Sequence, residues 1–104
     1  MKGEQLSLER LVRTTDPETS LLAAIKASKA SRKAVAAVRE VMTDGVPRID
    51  EEIWQACRAA GFISSLATVQ HGRLALSEAG VLTGTGVTRE TSNGSPSREW
   101  KAAP

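Results

Sequence analysis

Asp50 to Gly80 reads DEEIWQACRAAGFISSLATVQHGRLALSEAG, and its punctuation marks two helices joined by a short turn. Asp50 is suited to cap the first helix, Glu51 and Glu52 complement its positive end, and Gly61 stands just past its last residue. Ile53, Trp54, Cys57 and Ala60 line its apolar side. Phe62 and Ile63 make the turn, Ser64 or Ser65 caps the second helix, and Gly80 ends it. Two helices around AAGFISS have the dimensions of a helix-turn-helix.

Downstream the pattern changes. VLTGTGVTRE (Val81–Glu90) alternates valine and threonine with glycine, TSNGSPS is a loop composition, and REWKAA carries Trp100. This predicts a two-stranded hairpin with a long, flexible tip. Upstream, Val46 to Ile49 is a short extended piece containing Pro47, which restricts it to an edge strand or a bare connector.

No Gly or Pro occurs from Glu18 to Asp44, so this region forms one long helix or two with a break near SKAS, Ser28 or Ser31 capping the second. Val35, Val38, Val41 and Met42 share one face, and Asp44-Gly45 stops the run. TDPETS supplies a helix start: Asp16 as cap, Pro17 at the first helical position, Glu18 in the first turn. Leu21, Ala24 and Ile25 then follow at helical spacing. Residues 1–15 are a polar lead-in with, at most, one turn around Leu8, Leu11 and Val12.

The element order is thus helix, helix, short strand, helix, turn, helix, hairpin. It predicts a mainly α protein with a small β-hairpin, a winged helix-turn-helix spanning 16–104. Its recognition helix would cover about 64–79 and its wing about 81–101.

At 104 residues the chain is one domain at most. Hydrophobic residues at 40% and charged residues at 25% are ordinary for a globular protein. Only Trp54, Phe62 and Trp100 are aromatic, so aliphatic and alanine packing must dominate. The absence of a long apolar run predicts no membrane span, and the N-terminal MKGEQLSLERLVR is too polar for a signal peptide. A single cysteine, Cys57, fits a reducing, cytoplasmic setting. Fourteen basic residues against twelve acidic leave a net charge of only +2. Lys26, Lys29, Arg32, Lys33 and Arg39 nevertheless form a run with no acid among them, suited to a solvated face or to flanking phosphates.

On a helical wheel of Ser64–Gly80, Leu66, Val69 and Leu76 face inward with Leu74 at the margin. Thr68, His71, Ala75 and Glu78 project oppositely, flanked by Ser65 and Gly72, and this set would meet a major groove. Thr68 suits a thymine methyl or a phosphate, His71 a guanine or a phosphate, and Gln70, set further inward, an adenine. Arg73 falls inside the buried arc and therefore needs a partner, Glu51 or Glu52, more than it needs a base. Gly72 costs about 1 kcal/mol relative to alanine in a helix interior. Three gains could offset that: room for a neighbouring element, a close approach to DNA, or a loosened helix. Arg89 and Arg98 flank a tip containing Asn93, positions suited to the DNA backbone or minor groove.

Three stretches together resemble small winged-helix proteins of actinobacteria and their phages. TDPETSLLAA (Thr15–Ala24) looks like their opening. Ile49–Leu82 is similar to their acidic helix start, turn, recognition helix and L-x-E-x-G-V ending. TRETSNGSPSREW resembles their wing, through Arg89, Thr91, Ser92, Gly94 and Trp100. The resemblance covers roughly residues 15–101 and implies a DNA-binding regulator of MarR- or ArsR-like architecture. For a phage member the resemblance is compatible with service as a repressor, an excision factor or a regulator of replication genes, and it implies no particular target. Family members commonly carry two adjacent basic residues in mid-helix, where this chain has Gly72-Arg73.

Catalysis is not expected. There is one histidine, one cysteine, and no phosphate-binding glycine loop between a strand and a helix. No cofactor, metal or small-molecule substrate is implied. The expected partner is double-stranded DNA. The alternative is a winged helix adapted to protein contact, as an anti-repressor or an assembly adaptor. An isolated winged helix reads few bases, which leaves a homodimer or tandem binding open; the surface best suited to a dimer is Leu6 to Ile25, through Leu8, Leu11, Leu21 and Leu22.

Overall fold

The computed structural model describes residues 17–104, with side chains from Ser20 onward. The expectations for the lead-in, for Asp16 and for Leu8 and Leu11 lie outside the described residues. Within them, four α-helices pack with a small three-stranded antiparallel sheet.

Helix α1 (Pro17–Ser28) buries Leu21 and Ala24. The chain breaks where SKAS predicted: the Ser28 hydroxyl donates to the Ala24 carbonyl and Lys29 turns left-handed at φ 60°. Ser31 then caps α2 (Arg32–Val41), its hydroxyl accepting from the Ala34 N–H at 3.0 Å. The region is two helices. α2 buries Ala34, Val35 and Val38, and a 3₁₀ turn (Met42–Asp44) closes at Gly45, where φ is 76°.

Strand β1 (Arg48–Ile49) follows Pro47 directly and pairs on one side only. Helix α3 (Asp50–Ala59) starts one residue earlier than expected: Ile49, extended, is its cap residue. The Glu52 carboxylate reaches back to accept from the Ile49 N–H, which frees Asp50 from capping. Beyond Ala60, Gly61 at φ 100° lets the Phe62 N–H return to the Cys57 carbonyl at 2.9 Å. The Trp54 indole donates to the Ser64 carbonyl and so fixes the turn. Ser65, of the two candidate serines, then caps α4 (Leu66–Glu78).

Strands β2 (Leu82–Glu90) and β3 (Pro96–Ala102) form the hairpin, and β1 joins the far side of β3, giving the order β1-β3-β2. The pairings Arg48↔Trp100 and Gly84↔Trp100 place Trp100 in the central strand. The tip is a compact turn where a long loop was expected. Thr91 N–H donates to Ser95 O, and Asn93 Oδ1 accepts from both the Thr91 hydroxyl and the Ser95 N–H.

The core joins Leu21, Val38, Met42, Ile53, Cys57, Val69, Leu76 and Leu82, drawn from all four helices and the hairpin. α4 sits in the middle of it, and this corrects its wheel. The wheel assumed one buried side, whereas α4 is covered on two. Val69 and Leu76 are buried, and so are Gly72 and Ala75, on the side where α1 and α2 pack. A Cβ on Gly72 would stand 3.1 Å from the Ala34 carbonyl carbon and oxygen. The glycine therefore makes room for α2; it does not bring the backbone to a ligand. No described helix is long and apolar enough to cross a membrane.

Candidate functional site

Two-sided burial leaves α4 a narrow exposed stripe: Ala67, His71, Leu74 and Glu78. Their spacing of four, three and four residues is one helix face. His71 stands at its centre, exposed. Gln70 lies to one side, where it lines a cleft of about 270 Å³ with Leu66, Glu51, Asn93 and Ser95. Thr68 lies to the other side, half-buried, its hydroxyl 2.9 Å from that of the capping Ser65. Ala75, expected outside, is fully buried.

Arg73 and Arg89 are engaged. Arg73 forms a two-pronged ion pair with Asp50, Nε and Nη2 donating at 2.8 and 2.9 Å, and its guanidinium lies 4.5 Å from the Trp100 ring centre. The expected ion pair exists, but its partner is Asp50 in place of Glu51 or Glu52, because the Ile49 cap leaves that first carboxylate free to face α4. Arg89 donates to both Glu52 and Glu99, and is thus tied to the scaffold. Glu51 accepts from the Ser92 N–H and hydroxyl at the hairpin tip. Three successive acids at the start of α3 therefore hold three different things: Asp50 holds α4, Glu51 the tip, Glu52 strand β2. The acid run was legible as a helix start; its use as a clamp was not. Asn93 is exposed but its Oδ1 is engaged within the turn, accepting from Thr91 and Ser95, and Arg98 is exposed with no partner among the described residues.

The clamp predicts acid sensitivity. Arg89's hydrogen bonds hold the Glu52 carboxyl below its ordinary 4.5, against the opposing effect of burial. Outside the clamp, Arg48 and the Val46 N–H lower Asp44 to about 2. Both groups are depressed in the folded state, so their stabilisation is complete above about pH 5 and is lost as pH falls toward 2. The melting temperature should accordingly be flat near neutrality and decline through that window. Glu52→Gln should lower it at pH 7 and flatten the acid decline; an unaltered acid profile in that variant would remove Glu52 from the account.

A further group of exposed cations lies outside α4 and the hairpin. Lys26, Lys29, Arg32 and Lys33 are all exposed around the α1–α2 junction. Among the described residues no group of three or more His, Cys, Asp or Glu side chains could hold a metal ion. Compared with protein-family models, curated proteins and solved structures, the chain gives no significant match.

Proposed function

We propose that this chain is a cytoplasmic winged helix-turn-helix protein that binds duplex DNA, with α4 as recognition helix and the hairpin as wing. The observation that carries this reading is the closed arrangement of α3, turn, α4 and hairpin, with β1 completing the sheet in the order β1-β3-β2. That arrangement presents one exposed face of α4 beside a hairpin tied to α3, an arrangement suited to offering a helix to a major groove about 12 Å wide. His71 and Gln70 supply the donors and acceptors for base edges, while Ala67 and Leu74 suit thymine methyl groups. Arg98 contacts the backbone from the wing. Arg73 and Arg89 act indirectly, by fixing α4 and the wing to α3. In this reading the protein is a binder and not an enzyme, with a regulatory role like that of the phage and actinobacterial proteins it resembles. Leu22, 52% exposed on α1, suits a dimer reading two half-sites.

One observation favours a second reading. The exposed stripe of α4 bears no cation and ends in Glu78, a composition suited to a protein partner. Selection of bound sequences from a random duplex pool separates the two. The DNA reading predicts enrichment of a short motif, symmetric if a dimer binds. Failure to retain any duplex at low salt would reject it in favour of protein contact.

A further inference from the structure

We propose that the corner between α1 and α2, carrying Lys26, Lys29, Arg32 and Lys33, is the principal surface that grips the DNA phosphate backbone; this rests on the DNA-binding reading above. The first observation is a segregation of charge. Around α3 and the sheet, Arg48, Arg73 and Arg89 have carboxylate partners and Arg58 lies over the Trp54 ring, while Arg98 and Lys101 of β3 are exposed without a partner among the described residues but stand apart from one another. The four corner cations are exposed, and none has a partner among the described residues. No acid occurs between Glu18 and Glu40 to neutralise them. Four like charges within eight residues repel one another, and a row of phosphates is the polyanion that relieves this while releasing its own counterions.

The second observation is Lys29 itself. It ends α1 at φ 60°, the left-handed region that favours glycine and that a lysine occupies under strain. A glycine would terminate the helix more easily; lysine adds a charge to the corner instead. Strain retained in this way points to use.

Position is the third. Gly72 seats the first turn of α2 against the middle of α4, through Ala34. Lys33 adjoins Ala34 in the chain and Arg32 precedes it, so the start of α2, which bears these two cations, lies beside α4. With α4 in a groove, the corner meets the backbone on one side of it. The wing, its Arg89 tied to Glu52 and Glu99, contributes less.

The test is a fluorescence-anisotropy titration of a mixed-sequence duplex at several salt concentrations. Wild type should give log K against log salt a slope of about −3 to −5. A variant with Lys26, Lys29, Arg32 and Lys33 all changed to Gln should be shallower by about 3 to 4, and Arg98→Gln by no more than about 1. Lys29→Gly separates structure from binding: it should melt at or above wild type, yet lose about 0.9 of slope. A folded fourfold variant with the wild-type slope would overturn the corner while leaving DNA binding intact. Wild type that binds no duplex, or binds only anionic vesicles, would overturn both.

Discussion

Arg73→Ala is expected to destabilise the protein by about 3 kcal/mol, the cost of stripping one partner from a largely buried ion pair. Asp50 is 6% exposed and would be left buried without its partner. The same truncation removes the cation from the face of Trp100, in the central strand, so helix, sheet and α3 lose a common contact. For a domain of this size the melting temperature should fall by about 15 °C. Arg73→Lys should recover little, because an ammonium cannot make the two parallel bonds to Asp50. The pair Arg73→Met with Asp50→Leu should recover much of the loss, since the desolvation cost disappears with the charges. Thermal unfolding of the three variants checks this. A single alanine variant melting like wild type would mean that the pair is ornamental.

Gly72→Leu is expected to cost about 3 kcal/mol or more by overpacking. Its Cβ alone would meet the backbone of Ala34 at 3.1 Å, and the remaining carbons would have to enter the space α2 occupies. Backbone on a packed helix yields less than a side-chain tip, so α2 must move as a unit. Gly72→Ala is the control. It gains about 1 kcal/mol of helix propensity and asks Ala34 to shift by a few tenths of an ångström, leaving a net change within about 1 kcal/mol. Chemical denaturation of both variants decides the matter. A leucine variant as stable as wild type, with stronger DNA binding, would place Gly72 on an open face.

Much of the fold was legible because local chemistry writes it. Gly61, Ser65 and Gly80 punctuate the two central helices as read, Pro47 confines β1 to an edge, and the glycines and threonines after Val81 form the hairpin. The rotation of α4 was harder to read. A wheel weighs only apolar residues, and the side facing α2 is made of Gly72 and Ala75, small residues that count as neutral until a helix packs on them. The same limit hid the clamp. Asp50, Glu51 and Glu52 look alike in sequence, and only the three-dimensional neighbours Arg73, Ser92 and Arg89 distinguish them. Arg73's need for a partner could be deduced from its place on an apolar arc. Arg89's could not, because a hairpin arginine faces solvent or scaffold according to a register that a bulge between Gly84 and Thr88 resets.

Duplex DNA binding through α4 and a cationic flank is the function proposed for this fold. The salt dependence of wild-type binding tests it most directly, since it reports phosphate contacts without requiring the target sequence. A slope of about −3 to −5 is the predicted result, corresponding to some three to six neutralised phosphates. Absence of binding to any duplex at low salt would contradict it.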